Sequence, residues 1–180
     1  MSVLMLEGNW QNQTDFANAM LYQRILPITY HALDPQHNAI RIRQFIQQCP
    51  PQQYAILLLS GHGKIEQQRR LLWMQHSYID IVAFLAALNL DFSRTLLILD
   101  ACEIGRRPPE IQQQLGCAGI LGFQHRVNWQ AASIFIIQVL RYWRQHPDIQ
   151  ALAAHLNTQT AWLNQLGVQY ILAEAMLMSS

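Results

Sequence analysis

Two rhythms of apolar residues alternate along this chain. Short apolar runs stand at Val3–Leu6, Tyr54–Leu59, Thr95–Leu99 and Cys117–Phe123, and the mixed segments Ile28–Leu33 and Val168–Leu172 read as two further strands. Runs of this length without apolar–polar alternation suit strands covered on both faces, as in a parallel sheet. Between them apolar residues recur at helical spacing. Ile42, Phe45, Ile46 and Cys49 fall at i, i+3, i+4, i+7, and Ile81, Phe84, Leu85 and Leu88 form a second stripe. Ile149, Leu152, Ala153 and Leu156 form a third.

Turn and cap residues fit between these segments. Thr14 or Asp15 caps a helix through about Ile25, which Pro27 breaks. Asp34-Pro35 marks a turn, and Pro50-Pro51 ends the next helix. Lys64 to Arg70 reads as a polar loop before a short extra strand, Leu71-Leu72-Trp73. Ser77 with Asp80 three residues later is a capping-box signature for the helix that follows. A loop at Arg106-Arg107-Pro108-Pro109 precedes a short helix around Glu110 to Leu115. Asn128 caps a long helix, Trp129 to Gln145, Pro147-Asp148 restarts one, and Gly167 suits a helix C-terminus. Strands alternating with helices predict an α/β sandwich with a six-stranded, mainly parallel sheet. At 180 residues, with no repeat or linker, residues 1–180 read as a single domain.

Composition narrows the function. Apolar residues make up 51% and charged residues 13%, so the many glutamines form the solvated polar face. Net charge is +1 without a basic block, which argues against a nucleic-acid partner. Cys49, Cys102 and Cys117 form an odd set without CxxC spacing, which argues against a disulfide framework and a zinc site and suits free thiols in a reducing cytosol. The N-terminal stretch lacks signal-peptide character, and no apolar run nears the roughly 18 residues of a membrane span. A cytoplasmic protein without a membrane partner is expected.

Two of the apolar runs end in reactive residues. Tyr54–Leu59 leads into Ser60-Gly61-His62-Gly63, and Thr95–Leu99 into Asp100-Ala101-Cys102-Glu103. The carboxyl ends of strands in open α/β sheets are where ligands bind. Forty residues separate His62 from Cys102, enough for one strand–helix–strand crossover. If the two strands are neighbours, both residues meet at one edge, where a thiol beside an imidazole is a nucleophile with its base. Cys49 lies on a helix stripe and Cys117 in an apolar run, positions of ordinary core cysteines.

SGHG followed by DAC resembles the caspase-like cysteine peptidases: caspases, metacaspases, legumain and the bacterial CHAT-domain peptidases. SGHG is the metacaspase form of the histidine motif, DAC is close to its DSC, and Ala101-Cys102-Glu103 echoes the legumain ACE. Gly116 to Phe123 with the following Ala-containing helix resembles the segment after the nucleophile in CHAT domains. The resemblance runs from the first strand to the last and implies a caspase-like three-layer α/β/α sandwich. Asp100 departs from the Gln that caspases carry two residues before the cysteine. No carboxylate cluster has the spacing of a calcium loop, so neither metal nor cofactor is expected.

The resemblance implies a cysteine endopeptidase with a catalytic dyad of His62 and Cys102, and an oxyanion hole from the backbone N–H groups of Gly63 and Cys102. Asp100 matches a metacaspase acid in the pocket for the residue before the scissile bond, and Ser60 a pocket serine. Glu7 and Asn9, at the end of the first strand, add negative charge and polarity to that pocket. Such a pocket favours Arg or Lys. The alternative is that Asp100 only caps local backbone N–H groups. The expected partners are a protein or peptide substrate and an activating protein. The rival reading of the whole chain is a non-catalytic caspase-like scaffold in a regulatory or defence pathway. Specificity for basic residues would also make Arg69-Arg70 and Arg106-Arg107 self-processing candidates. Pro108 blocks the bond after Arg107, leaving those after Arg70 and Arg106.

Overall fold

The computed structural model describes residues 3–7, 22–24, 28–32, 35–74 and 77–172. Six strands form one sheet: β1 (Val3–Glu7), β2 (Ile28–Ala32), β3 (Ala55–Gly61), β7 (Thr95–Ala101), β8 (Gly119–Phe123) and β9 (Val168–Leu172). Their order is β2-β1-β3-β7-β8-β9. Every pair is parallel except β8 with β9. The expected sheet is therefore present, and β3 and β7 are neighbours.

Helices cover both faces: α1 (Pro35–Gln48), α2 (Ile81–Ala87), α3 (Pro108–Leu115), α4 (Trp129–Gln145), α5 (Ile149–Asn157) and α6 (Thr160–Leu166). Side chains of successive strand residues point to opposite faces. Val3, Met5, Ile56, Leu58, Leu96, Ile98, Leu121 and Phe123 pack with α4, α5 and α6. Leu4, Leu6, Leu57, Leu59, Leu97, Leu99 and Ile120 pack with α1, α2 and α3. Strands covered on both sides are apolar along most of their length, which explains the missing alternation. Truncating a fully buried residue such as Ile98 to Ala would cost about 2–5 kcal/mol.

A second sheet lies between β3 and α2, where the sequence reads mainly as loop. Residues 64 to 70 are not a polar loop: β4 (Gly63–Glu66) and β5 (Arg69–Met74) pair antiparallel, and β6 (Ser77–Asp80) pairs with β5. Gln67 and Gln68 form the hairpin turn with φ of 49° and 66°. Two-residue hairpins need left-handed residues and usually signal themselves with Asn-Gly. Two glutamines give no such cue. Ser77 is likewise not the helix cap. Its strand runs to Asp80, whose carboxylate accepts the Ala83 N–H at 3.2 Å and caps α2. Cys117 precedes β8 rather than lying in it, but is buried as expected. The other caps stand as read: Asn128 on α4, Asp148 on α5, and left-handed Gly167 after α6. The expected helix from residue 14 or 15 to 25 falls largely outside the described residues, with 22 and 23 helical. Among the described residues no helix is long and apolar enough to cross a membrane.

β1 lies inside the sheet, second from one edge. β1 connects outward to β2 on one side, and β3 lies on the other side and leads on to β7. The carboxyl ends of β1 and β3 thus flank the topological switch point, the place where open α/β sheets bind ligands.

Candidate active site

β3 and β7 pair residue by residue up to Ser60 with Asp100 and Gly61 with Ala101. His62 and Cys102 are the next residues on the two strands, so the sheet's register delivers both to one edge. His62 is exposed and Cys102 half-buried. The His62 carbonyl accepts the Trp73 N–H at 2.8 Å, which ties the histidine's backbone to β5. Gly61 adopts a φ of 153°, a conformation open to glycine, where the chain leaves the large sheet for the small one.

The backbone beyond Cys102 turns at once. The Ile104 N–H donates to the Cys102 carbonyl at 2.7 Å, and Glu103 is left-handed with φ 65°. The Gly105 N–H then donates to the Phe123 carbonyl at 3.1 Å, holding the turn against β8. The thiol makes a long contact of 4.0 Å to the Val127 carbonyl, so the loop after β8 borders Cys102. Glu103 and Arg126 form an ion pair at 3.6 Å across the same place. Gly63 lies against this turn. A β-carbon there would come within 2.5 Å of the Cys102 carbonyl oxygen, so the position admits no side chain without a shift.

Three residues expected to line a substrate pocket form a row. Glu7 pairs with Ser60, and Ser60 with Asp100, across β1, β3 and β7. Each lies two residues beyond an apolar neighbour of the α4–α6 core, so all three sit on that face. They are buried, none more than 8% exposed. Ser60 donates its hydroxyl to Asp100 Oδ2 at 3.0 Å, and Tyr22 donates to the same oxygen at 3.2 Å. Burial pushes the Asp100 carboxyl up to about 6, and the two hydroxyl donors act against it. Burial first, and then Asp100, pushes the Tyr22 hydroxyl up, so it remains a donor. Ser133 of α4 also hydrogen-bonds Tyr22. Asp100 therefore serves side-chain hydroxyls from β3 and from Tyr22. Asn9 lies outside the described residues.

Reading the sequence missed Tyr22 and Arg70. Tyr22 carried no periodic signal linking it to Asp100, 78 residues away. Arg70 was expected on an exposed loop, as a cleavage site beside Arg69. It instead lies within β5 with its side chain 8% exposed, paired to Glu110 at 2.9 Å. A peptide bond inside a paired strand, next to a buried side chain, is not a protease site. Arg106 and Arg107 are exposed, as expected of that loop. Among the described residues no three His, Cys, Asp or Glu side chains are grouped to hold a metal ion. All three cysteines are free.

No family model matches the sequence, and no curated protein is a significant match. The structure, in contrast, matches 51 solved chains. One is the Drosophila initiator caspase Dronc, with a TM-score of 0.57 over 94% of this chain and 78% of that one, at 11% identity. At such identity the likeness speaks for the fold. The chain has a caspase-like α/β fold.

Proposed function

We propose that this chain is a cysteine endopeptidase that cuts after basic residues, in the manner of metacaspases and CHAT-domain peptidases, acting in the cytoplasm on a protein substrate. The observation that carries the reading is the register of β3 on β7, which leaves His62 and Cys102 immediately beyond the same residue pair in a caspase-like fold. The Cys102 thiolate attacks the scissile carbonyl carbon and a C–S bond forms. His62 gives a proton to the departing amine as the C–N bond breaks, and water then hydrolyses the thioester and restores the thiol. The N–H groups of Gly63 and Cys102 receive the oxyanion, and the glycine lets substrate approach that backbone.

The row of Glu7, Ser60 and Asp100 supports a preference for Arg or Lys. A cation entering there would take the place of the hydroxyl donors on Asp100 and balance two carboxyl groups in a buried site, where an unpaired charge is costly. Asn9 belongs to the same pocket in this reading. An activating protein supplies the signal to the domain.

Cleavage of a peptide library by the wild type beside Cys102→Ala tests the proposal. Cutting after Arg and Lys by the wild type alone is expected. A folded wild type that cuts no peptide would favour the scaffold reading, for which the closed state of the Asp100 row is the supporting observation.

A further inference from the structure

β5 touches both halves of the candidate dyad. At one end its Trp73 N–H holds the His62 carbonyl, and Leu72 pairs with Gly63. Nearer its start, Arg70 reaches the segment that follows Cys102. One Nη2 donates to the Arg106 carbonyl at 2.9 Å and to Glu110 Oε2 at 2.9 Å. Glu110 is shared with Arg107 at 3.1 Å, and the Arg107 N–H donates to Gln169 of β9 at 3.0 Å. Gln169 in turn donates to Gln124, which follows β8 and opens the loop bordering Cys102. A polar chain therefore runs from the histidine's hairpin, through the turn after the nucleophile, to the loop on its other side. The two guanidinium groups, Arg70 foremost, hold the Glu110 carboxyl below its usual range.

Stability alone is a poor reason for Arg70. Its guanidinium is buried beside α3, and its Nε has no hydrogen-bond partner among the described residues. Glu110 is about half exposed, so the burial cost falls on Arg70, and a buried charge with an unsatisfied donor is often matched or bettered by an apolar side chain of similar volume. What an apolar residue cannot do is grip a backbone carbonyl and a carboxylate at once. Arg, with its rigid fork, does this better than Lys.

We propose that Arg70 is a positioning residue that fixes the distance and orientation between His62 and Cys102 by clamping the 103–110 segment to β5. The inference rests on the peptidase reading above. It assigns no contact between Arg70 and substrate.

The test uses Arg70→Gln, Arg70→Lys and Glu110→Ala in the full chain. Two quantities are read: kcat and KM on a peptide chosen from the library, and the ratio of Cys102 alkylation rates by iodoacetamide with and without His62→Ala. Arg70→Gln should lower kcat about 10- to 100-fold with KM changed less than about threefold, as expected for misaligned reacting groups. The alkylation ratio should fall toward one, because the histidine no longer helps the thiol. Arg70→Lys should recover part of kcat. A folded Arg70→Gln protein with wild-type kcat and wild-type ratio overturns the proposal. If that variant does not fold, Glu110→Ala decides: a lower kcat at unchanged KM supports the clamp, and wild-type kcat rejects it. A wild type that cuts no peptide, yet shows an alkylation ratio dependent on Arg70, would sink the peptidase reading and leave the clamp standing.

Discussion

Gly63 and Cys102 are in backbone contact: a β-carbon on the glycine would sit 2.5 Å from the Cys102 carbonyl oxygen and 2.8 Å from Ile104 Cγ2. The residue after the histidine thus fixes where the residue carrying the thiol can lie. Overpacking of this kind costs roughly 1–3 kcal/mol. Gly63→Ala should remain folded but lose far more turnover than stability, as read by kcat beside a urea melt. Wild-type kcat in that variant would show that this contact has no part in the reaction.

The three thiols should separate cleanly. Cys102→Ala and His62→Ala are expected to abolish peptide cleavage with little change in melting temperature, since both lie past strand ends. Cys117 is 3% exposed, and burial pushes its thiol up to about 12. It should resist alkylation near neutral pH, and Cys117→Ser should destabilise by roughly 1–3 kcal/mol. Turnover by purified Cys102→Ala at the wild-type rate would end the dyad mechanism.

On the proposed basic specificity, Asp100 should make the preference depend on pH. Its carboxyl titrates near 6, so the charge that would attract a basic side chain is lost in mild acid. The kcat/KM ratio for an Arg peptide over its neutral citrulline analogue should fall toward one as pH drops through about 6. Titration of the dyad cancels in the ratio. A ratio that is flat from pH 5 to 8, with Asp100→Asn silent, would assign Asp100 to structure.

The same carboxyl bears on stability with a definite sign. Its folded value, about 6, lies above the ordinary 3.8, so the folded state binds the proton more tightly than the unfolded chain does. That contribution is complete below about pH 4 and is lost as pH rises through 6. It amounts to roughly 3 kcal/mol. Denaturant melts of Asp100→Asn and wild type should therefore differ progressively over this window, the wild type losing ground as pH increases. Parallel curves would contradict the burial cost.

Of the two candidate processing sites, only the one after Arg106 lies in an exposed loop. Arg70 is sealed in β5, whereas Arg106 is exposed. Intact-mass analysis of concentrated wild type beside Cys102→Ala should give no fragment ending at Arg70. Such a fragment, seen only in the wild type, would mean that β5 opens in solution.

The large sheet was legible because its inner strands β1, β3, β7 and β8 are buried on both faces, and a short unbroken apolar run between turn residues fits little besides a buried strand. The runs stopped two residues short of the carboxyl ends of β3 and β7, since Ser60-Gly61 and Asp100-Ala101 continue the ladder with polar or small residues. Those extensions are where the pocket row lies. The small sheet was hidden because β4 and β6 carry exposed polar side chains and the turn uses Gln67-Gln68. Tyr22 and Arg70 were out of reach for a different reason. Their partners are 78 and 40 positions away, and local spacing holds no information about such contacts.

The register of β3 on β7 also governs when a reactive site can exist. Its paired residues are forty apart in sequence, and the whole three-stranded sheet and α2 lie between them. Contacts of this range form late, because chain closure must precede any reward. A partly synthesised chain can expose the Cys102 segment or the His62 segment, but no short fragment holds them side by side. Under the proposed function, reactivity is thus an attribute of the paired strands β3 and β7, and a nascent chain that has not yet closed this pairing carries no assembled dyad.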